Sequence, residues 1–132
     1  MATLNKLTPN LMVEDVNRTL EFYTRLLGFE RLASVPETGQ FDWAMVQRDG
    51  VQLMFQARAS LGGEVPALAD APIGASQTFY IEVEGLDELY RQLKDQVEIV
   101  AERHTTFYGT EEFAFKDCNG YVLAFSEAQN RA

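Results

Sequence analysis

The residues able to do chemistry crowd into one stretch, Phe107-Tyr108-Gly109-Thr110-Glu111-Glu112-Phe113. Two adjacent large aromatics on a loop that enters a strand cannot both face one core, so one is available for the rim of a binding site. The pair Glu111-Glu112 fits a solvated strand start, with one carboxylate able to turn to a pocket as a countercharge. Trp43, the sole tryptophan, stands 70 positions before Phe113, and Met45 stands 70 before Phe115. An aromatic pair on matching strands can stack on a planar ligand from two sides or plug the core, and a lone Trp is more often core than site.

Other chemistries find little support. Cys118 has no His or Lys beside it in sequence to lower its pKa, so a surface thiol is expected. The only histidine, His104, follows Arg103 near a strand end and reads as an exposed loop residue. Glu82, Glu111 and Glu112 could hold a hard cation weakly, but no spacing brings three of them together. Gly62-Gly63 lacks the Lys and Ser/Thr of a phosphate-binding loop.

The elements that position these residues are written twice. A shift of 70 lays Val13-Glu14-Asp15-Val16 on Val83-Glu84-Gly85-Leu86, and Asp49-Gly50-Val51-Gln52-Leu53-Met54-Phe55 on Asn119-Gly120-Tyr121-Val122-Leu123-Ala124-Phe125. Two equivalent modules are expected. In the first, a strand over 7–13 leads to an Asp15-capped helix with the apolar stripe Val16, Leu20, Tyr23 and Leu27, stopped at Gly28. Strands over 29–35, 41–47 and 51–56 follow, the last two joined at Asp49-Gly50. The second module repeats the order: strand 77–83, a helix carrying Leu86, Leu89 and Leu93, and strands 97–103, 111–116 and 121–127, with Asn119-Gly120 as the same turn chemistry. The organisation expected is one domain over 1–132, made of βαβββ modules at about 7–56 and 77–127 joined by an arm over 57–76. Gly62-Gly63 and Pro66 argue against one continuous helix in that arm, though 65–71 could hold a turn or two.

Strand alternation splits each strand into two faces. Leu11, Val13, Leu53, Phe55, Phe79, Ile81, Val83, Tyr121, Leu123 and Phe125 form an apolar set that must pack on the helices. The opposite set is mixed: Thr8, Asn10, Met12, Gln52, Met54, Gln56, Thr78, Tyr80, Glu82, Val122, Ala124 and Ser126. It suits a cavity wall better than a solvated face, because Met12, Met54, Tyr80 and Val122 stand where an open face more often carries charge.

Eleven basic against twenty acidic residues give a net charge of −9, which disfavours nucleic-acid binding. No stretch approaches a membrane-spanning length, the N-terminus has no signal layout, and one cysteine allows no internal disulfide. A cytoplasmic protein is expected.

The tandem βαβββ order, with Leu11-Met12-Val13-Glu14-Asp15-Val16, Phe22-Tyr23-x-x-Leu26-Leu27-Gly28-Phe29, Tyr80-Ile81-Glu82-Val83, the Phe107–Phe113 segment and Asp117-x-Asn119-Gly120, resembles the vicinal oxygen chelate superfamily. That group includes glyoxalase I, extradiol dioxygenases, fosfomycin resistance enzymes and bleomycin resistance proteins. The resemblance covers residues 7–127 and implies an α+β fold: tandem βαβββ modules forming curved mixed sheets around a central cavity. In the enzymes of this group His and Glu hold a divalent metal at positions that fall here on Thr8, Met54, Thr78 and Ala124, none of which suits such a site. The metal-free bleomycin resistance-like members are closest, matched at Tyr108, Gly109, Glu112 and Phe113.

The expected function is metal-independent binding of a small molecule, a cationic or aromatic antibiotic or metabolite, by a homodimer with no catalytic residues and no cofactor. Asn10, Trp43, Gln52, Met54, Tyr80, Tyr108 and Glu112 are the expected lining: aromatic faces stack, Asn10 and Gln52 donate and accept hydrogen bonds, and Glu112 supplies countercharge. The alternatives are a metal-dependent lyase or dioxygenase of the same superfamily with an unrecognised metal site, and a dimerising module without a ligand.

Overall fold

The computed structural model describes residues 1–74 and 76–129. Position 75, within the expected arm, and positions 130–132 lie outside the described residues. The chain forms two compact units, Met1–Ala71 and Pro72–Ala132.

In the first unit, β1 (Asn10–Val13) leads to α1 (Val16–Arg25), followed by β2 (Glu30–Val35), β3 (Trp43–Arg48) and β4 (Val51–Ala57). The Asp15 side chain caps α1 by accepting the Arg18 N–H at 3.1 Å. The predicted stripe is the buried one: Val16, Leu20, Tyr23 and Leu27 are all inside, and the Tyr23 ring meets Phe29 edge-on at 5.5 Å and Phe55 at 4.8 Å. Each such side chain contributes roughly 1.5–3 kcal/mol on burial. The sheet order is β1-β4-β3-β2, with β1 parallel to β4 and the other pairs antiparallel.

Along the chain between β4 and the next strand, α2 (Arg58–Glu64) and a 3-10 turn (Pro66–Leu68) occupy half of the expected arm. The helix runs through Gly62-Gly63. Each glycine costs a helix about 1 kcal/mol, and no single helix spans the arm, since α2 ends at Glu64 and the 3-10 turn begins at Pro66. A Cβ on Gly62 would come within 2.9 Å of the Ala69 Cα, so the absent side chain is what lets the following turn fold back on the helix.

The second unit repeats the order with β5 (Thr78–Glu82), α3 (Leu86–Leu93), β6 (Glu98–Thr105), β7 (Thr110–Lys116) and β8 (Val122–Ala128), arranged β5-β8-β7-β6. Glu127 caps α3 from β8, its two carboxylate oxygens accepting the Gly85 and Leu86 N–H groups at 3.1 and 3.0 Å. Phe113, Phe115, Leu123 and Phe125 fill the core with Leu86 and Leu93, and the Phe113 ring packs edge-on against Tyr90 and Phe125. Phe79, Ile81 and Val83, expected in this core, are half-buried.

The expectation of curved sheets enclosing a central cavity is overturned. Each unit holds an open four-stranded mixed sheet, with β1 and β2 at the edges of one and β5 and β6 at the edges of the other, and neither sheet is curved or closed. Closing a sheet takes about eight strands with a consistent tilt and stagger. Alternation along a strand identifies its two faces but carries no information on the curvature of the sheet.

Candidate functional site

In the second unit, β5, β7 and β8 converge hydroxyl groups on one carboxylate. Glu112 pairs with Ser126 across β7 and β8, and Tyr80 stands on β5 beside them. The Glu112 Oε2 accepts from Tyr80 Oη at 2.9 Å, Ser126 Oγ at 2.9 Å, Thr110 Oγ1 at 2.9 Å and Tyr108 Oη at 3.0 Å. Tyr80 Oη also lies 2.8 Å from Ser126 Oγ, and Thr106 Oγ1 lies 2.7 Å from Thr110 Oγ1, so the donors are themselves linked. Glu112 is 8% exposed, whereas the Tyr80 and Tyr108 residues are 52% and 55% exposed. The phenols therefore reach inward with their oxygens and leave ring surface outside.

Two features set this carboxylate apart from an ordinary buried polar network. Among the described residues no Lys, Arg or His pairs with it; the neighbouring Glu111 is instead bound by Arg103, which also holds Asp87 at 2.7 Å. All four donors converge on Oε2, and among the described residues none donates to Oε1. The residue keeps a small exposed surface, and Oε1 is the oxygen left for a further donor.

The electrostatics follow. Burial pushes the Glu112 carboxyl up, but hydrogen bonds from Ser126, Thr110, Tyr80 and Tyr108 outweigh it and hold the group below its ordinary value. Donation to Glu112, with burial second, raises the Tyr108 phenol above its ordinary value. Glu112 is thus a fixed negative charge with little basicity, and Tyr108 is a neutral donor. The arrangement suits holding a cation far better than moving a proton.

The first unit carries different chemistry on the corresponding strands. Asn10 Nδ2 donates to Gln56 Oε1 at 2.9 Å, and Gln56 Nε2 donates to Ser60 Oγ at 2.9 Å. Gln52 Nε2 donates to Gln47 Oε1 at 2.6 Å, and the Lys6 ammonium also reaches Gln52. Met54 pairs with Met45 on β3 and with Asn10 on β1, while Trp43 pairs with Gln56; Trp43, Met45 and Met54 are half-buried. This is a soft apolar surface edged by amides.

Of the expected lining residues, Tyr80, Tyr108 and Glu112 are brought together in the second unit, and Asn10, Trp43, Gln52 and Met54 lie on the sheet of the first. Of the pair Glu111-Glu112, Glu112 is the one that turns inward and is buried, while Glu111 is half-buried and held by Arg103. His104 lies within β6, in register with Glu112, and not in a loop; it is exposed, with Nδ1 2.7 Å from the Glu102 carbonyl.

The Trp43–Phe113 match is also overturned. Gln56 pairs with Trp43, and its 70-shift counterpart Ser126 pairs with Glu112, so Trp43 corresponds to Glu112. Phe113 is wholly buried in the core. The cause is turn length: Gln47 pairs with Gln52 across four residues, Lys116 with Val122 across five. One added residue moves every β7 side chain to the opposite face. The two turns accordingly differ in chemistry, for Asp117 accepts the Asn119 and Tyr121 N–H groups at 2.8 and 2.9 Å in the longer one.

Sequence reasoning missed Thr110; it put Gln56 and Ser126 on the cavity-facing set but left both out of the lining, so the Asn10–Gln56 and Ser126–Glu112 contacts were not foreseen. A signal existed: Asn10–Gln56 and Tyr80–Ser126 are the same pair of positions moved by 70.

The sequence matches the Glyoxalase/Bleomycin resistance protein/Dioxygenase superfamily over residues 3–125. The chain belongs to that superfamily. No curated protein matches it significantly. Among solved structures, TioX from Micromonospora sp. ML1 is similar at 19% identity and a TM-score of 0.77, covering 94% of this chain and 98% of TioX. A glyoxalase/bleomycin resistance protein/dioxygenase from Nocardioides gives 20% identity and a TM-score of 0.79, covering 100% and 89%. The bleomycin-binding protein of Streptomyces verticillus, solved with copper(II)-bleomycin, gives 23% and 0.62, covering 99% and 100%. These likenesses show a shared fold.

The metal that enzymes of the superfamily carry does not fit the residues present here. The corresponding positions offer hydroxyls at Thr8 and Thr78, a thioether at Met54 and a methyl at Ala124, a donor set that lacks imidazole and carboxylate. Among the described residues no three His, Cys, Asp or Glu side chains are grouped so as to hold a metal ion.

Proposed function

We propose that this chain binds a small organic cation, with no metal and no chemical change to the ligand, through the Glu112 carboxylate. The observation that carries this reading is the buried charge itself. Glu112 is kept ionised by four hydroxyl donors and meets no cationic side chain among the described residues, while one of its oxygens takes no donor among them. A desolvated, unpaired carboxylate is costly to keep and gains most from a cation supplied from outside. The half-exposed rings of Tyr80 and Tyr108 add faces for cation–π contact or stacking.

Sequestration of a cationic antibiotic or metabolite in the cytoplasm, by a homodimer, is the role such binding fits. The superfamily and the fold shared with a bleomycin-binding protein support it. Thermal-shift measurement across a panel of aromatic amines, repeated with excess EDTA, tests the reading. Stabilisation by amines that EDTA does not change is expected; stabilisation only after added Zn, Ni, Fe or Mn would contradict it. Light scattering reports the dimer.

A further inference from the structure

The distribution of hydrogen bonds over the two Glu112 oxygens decides which kind of cation the carboxylate takes. Resting on the cation-binding reading, we infer that the site selects an ammonium over a guanidinium. A guanidinium gains its advantage at a carboxylate by engaging both oxygens with two parallel N–H groups. Here that mode is blocked, because Tyr80, Tyr108, Thr110 and Ser126 all donate to Oε2. Only Oε1 is open. A compact ammonium loses nothing at a single acceptor oxygen, and it can point one N–H at Oε1 while its other substituents face the exposed parts of the two tyrosine rings. The guanidinium must either bind through one N–H and forgo the second or displace a hydroxyl from Oε2.

The hydroxyls therefore have two effects. They keep Glu112 ionised, and by filling one oxygen they turn a bidentate acceptor into a monodentate one. The ligand class that follows is an aralkyl amine, primary to tertiary, since each of these retains at least one N–H when protonated. A quaternary ammonium has none and would rely on charge and ring contact alone.

Calorimetric titration of the full chain with phenethylamine and with phenethylguanidine, at one pH where both are cationic, tests this. A preference for phenethylamine of about tenfold is expected, because the guanidinium's second N–H loses water without gaining an acceptor. In Tyr108→Phe/Thr110→Val, where two of the four donors to Oε2 are gone, the preference should shrink or reverse. Phenethylguanidine binding the wild-type chain as tightly as phenethylamine, or tighter, would overturn the selectivity while leaving Glu112 a cation site. An unchanged preference in the double variant would overturn the blocking role of the hydroxyls. Failure of both compounds to bind the wild type would overturn the selectivity and the cation-binding reading together.

Discussion

Tyr80 stands within 2.9 Å of Glu112 Oε2 and 2.8 Å of Ser126 Oγ, so removing its hydroxyl acts on the site's charge as well as its shape. Tyr80→Phe is expected to cost about 1–2 kcal/mol of stability, measured by urea unfolding, and to raise the Glu112 carboxyl towards its ordinary value, measured by NMR titration. The pH dependence of the native chain follows from the same hydrogen bonds. The folded-state values of Glu112 and Asp15 both lie below the ordinary range, Asp15 chiefly because it accepts the Arg18 N–H. Each therefore contributes stability that is complete above the unfolded value of about 4 and is lost as pH falls through the folded one. Stability measured by thermal unfolding should decline on acidification through that window, and less steeply in Glu112→Gln. From sequence, Tyr80, Tyr108 and Glu112 could be assigned to a site one by one. Their convergence could not, because it depends on which β7 residues share a face with β8, and that is fixed by a turn whose length alternation does not reveal.

Element order and most boundaries follow from local signals: the Asp15 cap, the stripe on α1, and the Asp49-Gly50 and Asn119-Gly120 turns. What those signals hid is that the second turn is one residue longer. Deleting one residue from the turn at 117–121 would slide β7 against β8 and turn Phe113 and Phe115 away from the core, so the variant is expected not to fold, as judged by loss of cooperative unfolding. Gly74 is a sharper local case. It has a φ of +83°, and a Cβ there would fall well inside van der Waals contact with the Asn119 carbonyl and close to the Gly120 backbone. Gly74→Ala is expected to cost about 2 kcal/mol or more, while Gly39→Ala, at a φ of +88° but with nothing nearby, should cost only the backbone strain of about 1 kcal/mol. Paired denaturation curves separate the two. The helix through Gly62-Gly63 shows the same limit of sequence reading: close approach to Ala69 is a tertiary fact that helix propensity does not contain.

Taken whole, the molecule keeps one scaffold in two copies and gives each copy its own surface chemistry. Asn10 and Gln56 in one sheet stand where Tyr80 and Ser126 stand in the other, and Trp43 stands where Glu112 does. The repeat was readable at the level of strands and helices; the expected curvature was not, since four-stranded sheets stay open and nothing in alternation says otherwise. A net charge of −9 adds a general attraction for cations that salt screens, whereas a cation seated at buried Glu112 is screened much less. Binding of an aromatic amine should therefore weaken only modestly between low and physiological salt, as titrations at two ionic strengths would show. The most direct measurement is a calorimetric titration of phenethylamine into the native chain and into Glu112→Gln, whose fold is checked by its far-UV spectrum. Saturable binding to the native chain, reduced at least tenfold in the variant, is predicted; equal affinity for the two folded proteins would contradict a site built on the Glu112 charge.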